Sequence, residues 1–182
     1  MAKTAIFMAT GFEEVEALAV IDVLKRAKIQ IDMVSVTGEK EVSSCHKIEI
    51  GTDKLLSEAD FEEYDMLILP GGMPGTKNLE ACEELMAKVD AFYADGKYLA
   101  AICAAPSILG HRQMLQGKTA CCYPGFEEAL EGADVSFEPV CVADKIITAR
   151  GLGCSIQFGL KIVEILCGEE VSRNVAEMII WA

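Results

Sequence analysis

Among the residues able to do covalent chemistry, Cys103 stands apart by its setting. The apolar run Tyr98–Ile102 leads into it, and small residues, Ala101, Ala104 and Ala105, surround it in the chain. A buried strand passing directly into a helix at this point makes a tight turn that lifts the side chain to the end of a sheet, as a nucleophile elbow does. A thiol there faces the positive end of the next helix, which favours thiolate and predicts a lowered pKa. Thiolate is the form that attacks carbonyl carbon or is oxidised to sulfenate and sulfinate. The ordinary alternative is a small buried hydrophobe, the usual fate of a free cysteine, and spacing does not separate the two.

Two other segments could serve that sulfur. Gly71-Gly72 follows the apolar run Asp65–Leu69 and Pro70. Glycine lets main-chain N–H groups point into a cavity and hold a developing oxyanion, although a tight turn alone would also explain the pair. Glu13, Glu14 and Glu16 lie at the start of a helical pattern, where a carboxylate ordinarily complements the helix dipole. Burial beside a thiol would instead make one of them a proton donor or base. The other cysteines are expected to be packing residues. Cys121 and Cys122 are adjacent on a strand and point to opposite faces, and Cys45 lies in a polar segment where it is open to oxidation. With no C-x-x-C pair and only two histidines, His46 and His111, no metal site is expected.

Short apolar runs alternating with helical segments predict an α/β fold, a doubly wound, mostly parallel sheet with helices on both faces. Thr4–Ala9 is the first strand. A helix over 13–27 follows, with Val15, Leu18, Ala19, Val23 and Leu24 on one face. Strands are expected at 29–36, 65–69 and 98–102, with a polar hairpin over 37–52 turning at Gly38-Glu39. A short helix after Pro74-Gly75-Thr76 and helices at 83–94 and 104–114 lie between and after them. Shorter strands near 119–122, 134–137, 140–143 and 146–149 precede helices at 156–167 and 169–181. Without repeat, low-complexity tract or linker, residues 1–182 read as one domain. In such sheets ligands sit at the carboxyl ends of strands where strand order reverses, which is where the three chemical segments fall.

Composition narrows the function classes. A formal charge of −13, from 29 acidic and 16 basic side chains, repels a phosphate backbone, so nucleic acid is not an expected partner. No apolar run approaches the ~20 residues of a membrane span, and the first residues lack the pattern of a secretory signal. A cytoplasmic protein with reduced thiols is expected.

Four segments in order, GFEEVEA at 11–17, LPGGMPGTKNL at 69–79, AAICAAP at 100–106 and RGLGCSIQFGLKIVEIL at 150–166, resemble the ThiJ/PfpI superfamily over essentially the whole chain. The resemblance is to the branch of the Parkinsonism-associated protein deglycase and its bacterial YajL-like relatives. It implies a flavodoxin-like fold similar to class I glutamine amidotransferases, and a homodimer in which Arg26 helps organise the contact. It also implies a reactive cysteine at Cys103, a buried protonated glutamate at Glu16, and main-chain donors at Gly71, Gly72 and Ala104. One departure concerns a family histidine near the cysteine, whose place is taken here by Tyr123. A phenol, with an ordinary pKa near ~10, donates a hydrogen bond better than it accepts a proton at neutral pH. The protease branch has histidine directly after its cysteine, where this chain has Ala104. His111, on the following helix, lies about 12 Å from Cys103 by helical rise. Peptidase activity is therefore disfavoured, as is thiazole-phosphate biosynthesis, for which no basic cluster faces the loops.

Two functions lead from this reading, ahead of a plain binding domain whose elbow is vestigial. One is a cofactor-free enzyme acting on α-oxoaldehydes or their protein adducts, of glyoxalase or deglycase type, with a small aldehyde or glycated adduct as partner. The other is a redox-responsive stress protein or chaperone whose Cys103 is oxidised to sulfinate with little turnover.

Overall fold

The computed structural model describes residues 2–181. The chain runs β1 (Lys3–Met8), α1 (Glu14–Arg26), β2 (Gln30–Ser35), β3 (Glu41–Ser43), β4 (Glu49–Gly51), β5 (Lys54–Leu55), β6 (Met66–Leu69), α2 (Gly75–Glu80), α3 (Glu83–Ala94) and β7 (Tyr98–Ile102). It continues through α4 (Pro106–His111), β8 (Thr119–Ala120), β9 (Asp134–Val135), β10 (Val140–Ala143), β11 (Ile146–Ala149), α5 (Ser155–Cys167) and α6 (Glu169–Met178). Seven strands form the central sheet in the order β10-β11-β7-β6-β1-β2-β5, parallel throughout except for β10 at one edge. From β1 the chain winds outward through β2, then returns to the other side of β1 at β6 and winds outward again. The expected doubly wound sheet is therefore present, and its order reverses between β1 and β6.

The central strands are mostly apolar because both faces are covered. Along β1, Ala5 and Phe7 enter one core with Leu79, Leu85, Val89 and Leu109, under α2, α3 and α4. Ile6 and Met8 enter the other with Val20, Leu24, Phe158 and Ile162, under α1 and α5. The side-chain period of two distributes one strand between two cores.

Several local expectations are revised. The buried face of α1 is Ala17, Val20, Ile21, Val23 and Leu24, while Val15 and Leu18 are 45% and 38% exposed. Positions 17, 20, 21 and 24 follow the i, i+3, i+4, i+7 rule more closely than the face read from sequence, which wrongly included Val15 and Leu18. The hairpin of β3 and β4 turns through Ser44–Ile48, not at Gly38. The Ser44 N–H donates to the Ile48 carbonyl at 2.9 Å, and Lys47 takes a φ of 61°. This hairpin docks on the loop after β1 through Gly11 N–H to Ser43 O and Cys45 N–H to Phe12 O, both 2.8 Å. The helix expected over 104–114 is cut to α4, because Cys103–Ala105 complete a turn before Pro106 and Gln113 turns left-handed (φ 58°) after it. Edge strand β5 is too short and polar to have been legible. Among the described residues no helix is long and apolar enough to cross a membrane.

Candidate active site

The carboxyl ends of β1, β6 and β7 are neighbours in the sheet, and each delivers one part of the site. Cys103 follows β7 with φ 66°, a left-handed conformation that costs a side-chain-bearing residue roughly 1–3 kcal/mol. The turn is braced on both sides. Its N–H donates to the Ala149 carbonyl at 2.9 Å, and its carbonyl accepts from the Tyr123 N–H at 2.8 Å. The thiol is only partly buried, so a small molecule can reach it.

Glu16 comes from the first turn of α1 and is 1% exposed. Its Oε2 accepts from the Gly71 N–H at 3.0 Å. Glycine is required at 71 by close approach. A Cβ there would stand 2.5 Å from Cys103 Cβ and 2.6 Å from Glu16 Oε2. Gly72 has φ 90°, and a Cβ on it would meet the Glu13 nitrogen at 2.4 Å. Around the Cys103 sulfur stand the Glu16 carboxyl and the main-chain N–H groups of Gly72 and Ala104. Of the three expected main-chain donors, Gly72 and Ala104 stand at the sulfur. The third, Gly71, is engaged by Glu16 and sets that side chain in place.

The expectation of a lowered thiol pKa is corrected. Burial, followed by the charge of the adjacent Glu16 carboxylate, pushes Cys103 up to about 12, against the pull of the Gly72 and Ala104 amides. Burial, aided by the nearby Glu13 charge, pushes Glu16 up to about 7, while hydrogen bonds from Cys103 and Gly71 hold it lower. These values belong to the pair. One proton leaves near neutrality, and the second stays because a thiolate beside a carboxylate would place two negative charges in one dry pocket. Above about pH 7 the pair thus holds one proton for two basic atoms. The sequence pattern displayed the helix end but neither the desolvation nor the carboxylate that outweigh it.

The exposed Tyr123 ring borders the site. A Cβ on Gly151 would lie 3.2 Å from Tyr123 Cδ2 and 3.9 Å from Cys103 Sγ, so all three meet at one wall. His111 is occupied elsewhere, its Nδ1 2.7 Å from Glu80 Oε1. Glu13 caps α1, its Oε2 accepting from the Glu16 N–H at 2.6 Å. Cys121 and Cys122 are buried, and burial pushes their thiols up to about 12 and about 11. Cys45 is half-buried against Glu14, and its thiol is raised by burial and that carboxylate.

The match to a known family is extensive. The model of the DJ-1/PfpI family matches residues 2–165. The chain belongs to the DJ-1/PfpI family. It is 38% identical over 176 residues to Protein DJ-1 homolog B of Arabidopsis thaliana, covering 96% of this chain and 40% of that longer protein. It likewise spans 46% of homolog A, so it accounts for less than half the length of these plant relatives. The solved structure of Toxoplasma gondii DJ-1, oxidized, superposes with a TM-score of 0.96 at 34% identity, covering 100% of both chains. The Caenorhabditis elegans protein named glutathione-independent glyoxalase DJR-1.2 is 29% identical over 163 residues, covering 89% of this chain and 87% of that one. Within this DJ-1/PfpI fold, Gly151 and the Ala149 carbonyl are site residues that sequence reasoning left without a role. The run at 150–166 marked their neighbourhood, but their proximity to Cys103 arises from the pairing of β11 with β7.

Proposed function

We propose that this chain is a cysteine-dependent, cofactor-free enzyme acting on small α-oxoaldehydes, with glycated protein adducts as larger substrates of the same chemistry. The observation that carries this reading is a reachable sulfur on a left-handed elbow, with the Glu16 carboxyl and the Gly72 and Ala104 amides around it. The glyoxalase name of the nematode relative supports the reaction class.

The chemistry follows from the shared proton. Sulfur attacks the aldehyde carbon while the thiol proton passes to Glu16, so no free thiolate has to exist beside a carboxylate. The carbonyl oxygen, steadied by main-chain N–H groups, takes that proton and a hemithioacetal results. Glu16, again a carboxylate, removes the proton from the former aldehyde carbon, giving an enediolate, and returns it to the neighbouring carbon as the hydroxyl proton passes from the first oxygen to the second. The product is a 2-hydroxyacyl thioester on Cys103. Water cleaves the sulfur–carbon bond, releases the 2-hydroxy acid and restores the thiol. One carbon is oxidised and its neighbour reduced, so no external oxidant or cofactor enters. Tyr123 stands at the rim, where its hydroxyl can donate to substrate oxygen.

We also propose a homodimer joined through the uncovered side of α1. Val15 and Leu18 there, and Ile48 on the docked hairpin, are exposed apolar residues. Arg26, paired with Asp22 at 2.6 Å, lies on the same helix. The test of function is lactate formation from methylglyoxal by purified protein without glutathione. Lactate from wild type and none from Cys103→Ala is expected, and equal rates from the two would remove the proposal. The redox-sensor alternative has less support, since the glyoxalase name of the nematode relative favours turnover.

A further inference from the structure

A second cluster of ligating side chains lies beside the site and takes no part in that chemistry. We propose that Glu13, Glu14, Cys45 and His46 form a binding site for a zinc-class divalent metal ion. One ligand atom from each of the four lies within 4.8 Å of every other. Two come from the start of α1 and two from the turn of the β3–β4 hairpin, and the Gly11–Ser43 and Phe12–Cys45 backbone hydrogen bonds hold the segments together.

The independent sign of a missing ligand is at Glu13. This residue is 8% exposed. Its Oε2 caps the helix, but Oε1 is buried without any hydrogen-bond partner, the one such side-chain oxygen or nitrogen among the described residues. A buried carboxylate oxygen left without a partner is costly, and a cation would satisfy it.

The geometry is close to a metal shell. Cys45 Sγ lies 3.4 Å from His46 Nδ1 and 3.5 Å from Glu14 Oε2. Tetrahedral zinc with ordinary bond lengths separates a sulfur and a nitrogen ligand by about 3.6 Å. Glu14 Oε1 and His46 Nδ1, now 2.7 Å apart, would open by roughly half an ångström as their hydrogen bond gives way to two metal bonds. The donor set excludes calcium and magnesium, which take oxygen shells, and suits a borderline ion accepting sulfur, nitrogen and oxygen together. Binding forms the metal–sulfur bond and releases the Cys45 proton to solvent. His46, its side chain 68% exposed in the single chain, forms the open side of the cluster, two residues from the Ile48 contact proposed for the dimer. No paired-cysteine motif announced this set, because the fold assembles it from two separate loops.

Cobalt(II) titrated into chelator-treated protein reads the site directly, in a Cys103→Ser background so that the elbow thiol cannot contribute. One equivalent is expected to give a thiolate-to-cobalt charge-transfer band and the intense visible absorption of a tetrahedral ion, both abolished by added zinc. Cys45→Ser should remove the charge-transfer band. His46→Ala, a change at an exposed side chain, should weaken affinity by more than about a hundredfold, beyond the effect of losing an outer-shell partner. No saturable binding, a charge-transfer band unchanged in Cys45→Ser, or an affinity unchanged in His46→Ala would each overturn the proposal.

Discussion

Replacing Glu16 by Gln isolates the cost of an ionised carboxyl inside this pocket. The wild-type carboxyl is 1% exposed and titrates near 7, against 4.5 for the free group. Because its folded pKa is raised, the unfolded chain releases this proton first as pH increases. Between 4.5 and 7 the native state therefore holds more protons than the unfolded state, and stability falls with rising pH through that window. The gap of 2.5 pH units corresponds to about 3 kcal/mol. That penalty is absent at pH 4 and fully expressed at pH 8.

Gln cannot ionise, yet its amide oxygen can still accept from the Gly71 N–H. Urea unfolding of both proteins at pH 4 and pH 8 gives a double difference in which every other titrating group cancels to first order. The variant should gain about 3 kcal/mol relative to wild type on going from pH 4 to pH 8. At pH 8 it should be a more stable and far less active protein. A relative stability that does not change between the two pH values would refute the assignment of a buried, titrating Glu16, and with it the shared-proton chemistry.

The same pair predicts that kcat/KM for methylglyoxal rises with pH through about 7 as Glu16 becomes a base. Glu16→Gln should lose roughly 10²–10⁴-fold, the usual reach of acid–base catalysis. A rate limb unchanged in that variant would contradict the role. Gly71→Ala forces a Cβ to within 2.6 Å of both Cys103 Cβ and Glu16 Oε2. It should cost about 1–3 kcal/mol in thermal or urea unfolding, and turnover should fall at least about a hundredfold through misplacement of the pair. Leu18→Glu should shift the protein from dimer to monomer in light scattering, and a wild type that is already monomeric would dismiss the α1 interface. Asp32 accepts from Tyr64 Oη at 2.7 Å and Lys54 Nζ at 2.8 Å, and these partners lower its pKa despite burial. Asp32→Ala should cost about 1–3 kcal/mol at neutral pH. Since the folded pKa lies below the free value of 3.8, that contribution is present above 3.8 and is lost as pH falls through the folded value.

Much of the architecture was legible in the chain because the physics behind it is local. Parallel strands buried on both faces are rich in apolar residues, so 98–102 and 146–149 were bounded correctly, as were the antiparallel edge strand 140–143 and the helix over 83–94. The order in which strands and helices alternate was enough to require a sheet whose carboxyl edge collects Glu16, Gly71 and Cys103. Resemblance in four ordered segments then named these residues. The face of α1 was misread because Val15 and Leu18 are apolar yet left uncovered by this chain, and composition cannot distinguish an apolar residue facing the core from one left at the surface. The hairpin turn was misplaced because Lys47 supplies the left-handed residue where a glycine was sought.

What the sequence determined by itself is the set of groups brought to the mouth of the sheet, since side-chain identity and the succession of strands and helices along the chain are written residue by residue. Tertiary structure alone decided their ionisation. The closeness of Glu16 to Cys103, the dryness around them, and the engagement of the Gly71 amide by carboxylate rather than by sulfur depend on distances between three strands far apart in the chain. Charge energies vary with separation and solvent exposure, neither of which a one-dimensional pattern contains. The same reason hid the Glu13–Glu14–Cys45–His46 cluster, whose halves lie about thirty residues apart and meet only because the hairpin docks on the loop after β1.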